Sequence, residues 1–127
     1  MSRILFISGS NGDAARLSRM LRGIPVELDH ALSVQSARDR LEKETYAVIL
    51  TEGVLADGYW LDVLRLAREL APEPEVIVTD PQADARFWAE ALNLGAYDLL
   101  TQPFYEPEVQ RILSNACSRI APAPIAL

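Results

Sequence analysis

The chain has 127 residues, half of them apolar and 24% charged, with a formal net charge of -6. That is enough for one domain around one hydrophobic core, with an ordinary globular composition. The acidic balance argues against a direct nucleic-acid surface, which needs clustered Lys and Arg, and no apolar run approaches the roughly 20 residues that span a bilayer.

Met1-Ser2-Arg3 leads straight into an apolar run, so no signal peptide is expected. Arg3-Ile4-Leu5-Phe6-Ile7 has the pattern of a strand buried on both faces. Ser8-Gly9-Ser10-Asn11-Gly12-Asp13 is a turn cluster. Ala14, Leu17, Leu21 and Ile24 follow at helical spacing, until Pro25 stops the helix. Val26 to Ala31 alternates as a weaker second strand. Ser33 is placed to cap a second helix with the apolar face Val34, Ala37 and Leu41. Tyr46-Ala47-Val48-Ile49-Leu50-Thr51-Glu52 reads as a buried strand, centred on Ala47 to Thr51, that ends in a single carboxylate. Gly53 to Gly58 reads as a loop. Leu61, Leu64, Leu66, Ala67 and Leu70 mark a third helix, closed by Pro72 and Pro74. Val76 to Thr79 is a fourth buried strand, and Ala85 to Leu94 a fourth helix with Gly95 as its left-handed stop. Tyr97 to Thr101 is a short fifth strand, and Pro107 to Ile120 a fifth helix. Ala121-Pro122-Ala123-Pro124 breaks regular structure, giving one domain over 1–120 and the start of an Ala/Pro linker or tail over 121–127.

Five strands alternating with five helices predict an α/β three-layer sandwich, a parallel sheet covered on both faces. Right-handed crossovers favour the flavodoxin-like strand order 2-1-3-4-5. A crevice then opens beyond the carboxyl ends of the first and third strands. Ser8-Gly9 and Glu52 stand at those ends, joined by Thr79 and Thr101-Gln102 from the last two strands.

From Ile4 to about Ile120 the chain resembles the receiver domains of response regulators, the CheY-like superfamily. The resemblance rests on the Glu52 strand with Leu55 and Asp57-Gly58, and on the strand ending in Thr79. It rests also on Gly95-Ala96-Tyr97-Asp98-Leu99-Leu100-Thr101-Gln102-Pro103-Phe104, similar to the family's Gly-Ala-x-x-[aromatic]-[apolar]-[Thr/Val]-Lys-Pro-[Phe] ending. It implies two-component (phosphorelay) signal transduction and a cis peptide bond before Pro103. By the resemblance, Glu52 stands at the phosphoacceptor aspartate's position, Ser8 and Gly9 at the acidic pair, Gln102 at the Lys and Leu99 at the aromatic switch residue. Val54 would offer the metal-binding carbonyl, and Thr79 keeps the hydroxyl that reads the phosphoryl group. Asp13 lies too far into the first helix to replace a lost acid, and Asp57 is expected to point away along the loop. Phosphoryl transfer to a carboxylate builds charge that Mg2+ must neutralise, and Mg2+ prefers carboxylate oxygens and water. With one carboxylate of three and a neutral amide for the Lys, Mg2+ binding is expected to be lost or weak, and no cofactor is expected. The resemblance thus implies an atypical pseudo-receiver that signals without phosphorylation.

Two readings of Glu52 stand side by side. Its carboxylate either reaches toward Thr79 or Gln102 and holds the domain in one state, or is a solvated strand-end acid. The resemblance also implies protein partners: an output domain, another signalling protein, or a second copy bound through the face of the fourth helix, fifth strand and fifth helix. Phe87 and Trp88 are adjacent and cannot both face inward. Trp88, with Leu99, is the interface candidate, the alternative being partial cover of its neighbours. Trp60 is read as a cap on the crevice mouth. The chain reads as the amino-terminal module of a larger regulator, such as a transcriptional regulator. A separate possibility is a flavodoxin-like domain binding a small ligand or flavin through Ser8–Gly12, without GxGxxG spacing or a Walker Lys. No nucleophile-base pair or metal cluster marks catalysis, so no enzyme is expected. His30 and Cys117 lack the companions that a metal or Cys-His site needs, and the single Cys fits a reducing cytoplasm.

Overall fold

Nearly continuous apolar runs become the strands of one parallel sheet. The computed structural model describes residues 1–82 and 84–118. The expected linker at 121–127, and the last two residues expected in the fifth helix, lie outside them. In chain order the elements are β1 (Ser2–Ile7), α1 (Asn11–Met20), β2 (Val26–Ala31), α2 (Val34–Lys43), β3 (Val48–Glu52), β4 (Val54–Leu55), β5 (Gly58–Tyr59), α3 (Trp60–Arg68), β6 (Glu75–Thr79), α4 (Ala85–Leu94), β7 (Asp98–Leu100) and α5 (Glu106–Ser118). The main sheet has the order β2-β1-β3-β6-β7, with every pairing parallel. Counted along the five main strands this is the flavodoxin-like order 2-1-3-4-5.

Alternate side chains of each strand enter opposite apolar layers. Leu5, Ile7, Ile49 and Val78 join the layer under α2, α3 and α4. Ile4, Phe6, Leu50 and Ile77 join the layer under α1 and α5. Both faces are buried, so the strands show no polar alternation in sequence. Each fully buried Leu or Ile contributes roughly 1.5–3 kcal/mol of apolar transfer. The helix starts are chemically marked. Ser10 Oγ accepts the Asp13 amide at 3.1 Å, Ser33 and Ser36 form a reciprocal capping box, and Asp84 accepts the Phe87 amide at 2.9 Å. Gly95 ends α4 at φ 113°, a conformation that costs glycine little, while the Arg68 guanidinium donates to the Leu94 carbonyl.

Three expectations are corrected. α1 ends at Met20 rather than running to Pro25; Gly23 at φ 90° turns the chain, and Ile24 N–H donates to the Leu21 carbonyl at 3.1 Å. The Gly53–Gly58 segment is not plain loop, because Val54 pairs with Tyr59 and Leu55 with Gly58 in a small antiparallel ladder. Trp60 does not cap the crevice mouth. The ladder reverses the chain just before it, and the indole enters the core at 5% exposure, its ring 6.1 Å from that of Phe87.

Candidate functional site

The parallel register sets the positions at the carboxyl ends of the strands. Glu52 stands beside Thr79, and Thr79 beside Leu100. Gly53 N–H donates to the Thr79 carbonyl at 3.1 Å, and Trp60 N–H to the Gly53 carbonyl at 3.0 Å, so the backbone between β3 and α3 is tied down. An open depression of about 270 Å³ lies above, lined by Glu52, Gly53, Val54, Thr79, Asp80, Pro81 and Gln82.

The half-buried Glu52 turns toward β1, where its Oε1 accepts the Gly9 N–H at 3.0 Å. Thr79 and Gln102, the partners expected for it, bond to each other instead: Gln102 Nε2 donates to Thr79 Oγ1 at 3.0 Å. Thr79 is fully buried, so its hydroxyl needs such a partner. Ser8 is also fully buried, and its hydroxyl accepts the Ser10 N–H at 2.9 Å. Its carbonyl accepts from His30 Nε2 at 2.7 Å, and the His30 ring stacks on Phe6 at 5.8 Å. His30 is therefore a packed, hydrogen-bonded part of the β1–β2 edge. The Gln102–Pro103 peptide bond is cis.

Asp57 is remote from this cluster. Its carboxylate accepts the Val34 and Gln35 amides at 2.8 and 3.0 Å, and these bonds hold its carboxyl below the usual range. It anchors the loop to the N-terminus of α2, where the helix dipole favours an anion. Asp13 is also turned elsewhere, pairing with Arg16 at 3.6 Å. Sequence reasoning overlooked Asp80. Its Oδ1 accepts the Gln82 N–H at 2.8 Å, and its carboxylate lies so close over Gly53 that a Cβ there would run into it. The only sequence signal was its place directly after Thr79, and its proximity to Gly53 comes from the β3–β6 register.

Leu99, expected as an interface residue, is 2% exposed and belongs to the core. It presents no surface, because its side of β7 faces the layer under α4. Trp88 is 40% exposed, while Phe87 turns inward against Trp60. Cys117 is half-buried on α5, and burial pushes its thiol pKa up. No helix among the described residues is long and apolar enough to cross a membrane.

No family model matches the chain. It is similar to the response regulator protein PilR of Pseudomonas aeruginosa, 28% identical over 86 residues, which is 68% of this chain and 19% of PilR. It is 27% identical over 123 residues to the photosynthetic apparatus regulatory protein RegA of Rhodobacter capsulatus, covering 95% of this chain and 66% of RegA. The chain therefore spans less than two thirds of either relative. Among solved structures, the beryllofluoride-activated NtrC4 receiver domain dimer superposes with a TM-score of 0.85 at 22% identity, over 94% of this chain and 98% of that one. The chain thus has the fold of receiver domains and sequence similarity to two response regulators.

Proposed function

We propose that this chain is a receiver module that signals through protein contact and does not depend on phosphorylation. The observation that carries this reading is a site satisfied from within, with Glu52 holding the Gly9 amide and Gln102 holding Thr79. Phosphoryl transfer to a carboxylate needs a bound metal or cations where charge develops. Among the described residues no cation pairs with Glu52. The residues at the acidic-pair positions do not fit Mg2+: Ser8 spends its hydroxyl oxygen on the Ser10 amide, and Gly9 has no side chain. Asp80 adds negative charge beside Gly53, which disfavours an incoming phosphoryl donor. On this reading the module has no enzymatic role and no cofactor.

The partners would be proteins, an output domain or another signalling protein, met through the face formed by α4, β7 and α5. PilR and RegA are both longer than the stretch matched here, which supports a regulatory module within a larger regulator, such as a transcriptional regulator. The NtrC4 neighbour is a dimer, and that keeps a second copy among the occupants to be tested. A flavin or phosphate loop at Ser8–Gly12 has little support, because the Gly9, Ser10 and Asp13 amides are already spent on Glu52, Ser8 and Ser10. The test is incubation with acetyl phosphate, or with beryllofluoride, in the presence of Mg2+. Intact-mass and NMR measurements are expected to show neither labelling nor shifts near Glu52; a labelled protein or a saturable shift would overturn the reading.

A further inference from the structure

The peptide unit between Ser8 and Gly9 is held from both ends. Its carbonyl accepts from His30 Nε2 at 2.7 Å, and its N–H donates to Glu52 Oε1 at 3.0 Å. A carbonyl only accepts, so Nε2 carries the imidazole proton. Both hydrogen bonds act on one conjugated amide. A donor at the oxygen draws electrons from the nitrogen and makes the N–H a better donor to the carboxylate, so each bond strengthens the other. His30 and Glu52 stand on strands that do not pair, with β1 between them. The peptide unit is what joins them.

Both partners of this unit are aimed. Ser8 N–H donates to the Ala31 carbonyl at 3.0 Å, which carries the β1–β2 ladder one residue past the Ile7–Ala31 pair. The imidazole is held by rings. Phe6 is its register partner, and the two rings stack with centroids 5.8 Å apart and planes 26° from parallel. Phe6 in turn meets Phe104 edge-on at 6.4 Å. Both phenylalanines are buried in the layer under α1 and α5, where dense packing leaves a stacked ring little room to turn.

We propose that His30 is a positioning residue of the crevice, its N–H on the Ser8 carbonyl setting the Gly9 amide on Glu52. This deepens the reading of a site satisfied from within by naming the side chain on the β2 edge that keeps it so. The test is amide hydrogen exchange, read by NMR on the whole chain. His30→Phe keeps a ring to stack on Phe6 and removes the donor; His30→Gln removes the ring and keeps a side-chain N–H. In His30→Phe the Gly9 amide is expected to exchange about tenfold faster, while the Leu50 amide in the sheet is unchanged. In His30→Gln the increase at Gly9 is expected to be about threefold at most. On a Glu52→Ala background His30→Phe is expected to have no further effect at Gly9, because the bond it supports is already gone. Thermal unfolding reports that the variants fold, and His30→Ala is the second donor-free variant. An unchanged Gly9 amide in the donor-free variants, a Leu50 amide accelerated equally, or equal exchange in His30→Gln and His30→Phe would each overturn the proposal. Phosphoryl labelling of residue 52 would instead overturn the phosphorylation-independent reading and leave this comparison unchanged.

Discussion

At the β2 edge of the sheet the Arg3 guanidinium gathers charge around itself, and Arg40 reaches the same Asp29 at 3.7 Å. At the carboxyl ends of β3 and β6, polar groups meet with no cation in an ion pair there among the described residues. Arg3 donates to Asp29 at 3.0 Å and to Glu44 at 2.9 Å, lies 5.8 Å from the Tyr46 ring centroid, and shares Asp29 with the Tyr46 hydroxyl at 2.6 Å. At the other end Glu52 takes one backbone amide and Gln102 one hydroxyl. The contrast separates two uses of polarity in one fold. The Arg3 network ties β1, β2 and the start of β3 together and responds to pH. In the crevice the polar groups are held by local hydrogen bonds, one to a backbone amide and one between two side chains.

The contrast can be broken first at Asp29. Asp29→Ala removes an acceptor shared by Arg3 and the Tyr46 hydroxyl, and Tyr46 is only 2% exposed. A loss of about 2 kcal/mol is expected in urea unfolding; a change within error would class the network with ordinary exposed pairs. The same cluster sets two pH limits. The Tyr46 hydroxyl, then Arg3, holds the Asp29 carboxyl below its ordinary 3.8. Its contribution is therefore present above that value and lost as acid drives the pH down through the lowered pKa. Burial, then Asp29, pushes the Tyr46 phenol up to about 12 from 10.0. Its contribution is full below 10.0 and lost as the pH climbs through about 12. Asp29→Ala should flatten both limbs of a stability–pH curve.

Smaller effects are expected at the crevice. Thr79→Val leaves the Gln102 amide without its partner and should cost about 1 kcal/mol, with no change in the acid limb. Glu52→Gln keeps an acceptor for the Gly9 amide and should stay within about 0.5 kcal/mol of the parent. A loss well beyond that would show that the charge of Glu52, rather than its hydrogen bond, holds the β1–α1 loop.

The main strands were legible because burial on both faces leaves uninterrupted apolar runs, as in Ile4 to Ile7 and Val76 to Val78. α4 was legible because Gly95 marks its end, while its Asp84 cap emerged only in the structure. The β4–β5 ladder was not: its two-residue strands have no periodicity, and Val54 is 76% exposed. The end of α1 was hidden because Leu21 and Ile24 keep helical spacing past the turn at Gly23. At the site, the residue types were readable, but their pairings were not. The partner of Glu52 is a backbone amide that no side-chain pattern records, and the approach of Asp80 to Gly53 depends on the register between two strands. Leu99 was misplaced because a short edge strand gives no clue to which face is covered.

The central claim, that this crevice does not take a phosphoryl group, is tested most directly with the parent chain and Glu52→Asp side by side. Both are incubated with acetyl phosphate and Mg2+ and read by intact mass. The account predicts no phosphoryl adduct on either, because an aspartate at residue 52 would still stand beside Ser8, Gly9 and Gln102, which offer neither a carboxylate pair nor a cation. An adduct on the parent chain, or one that appears on Glu52→Asp, would contradict it.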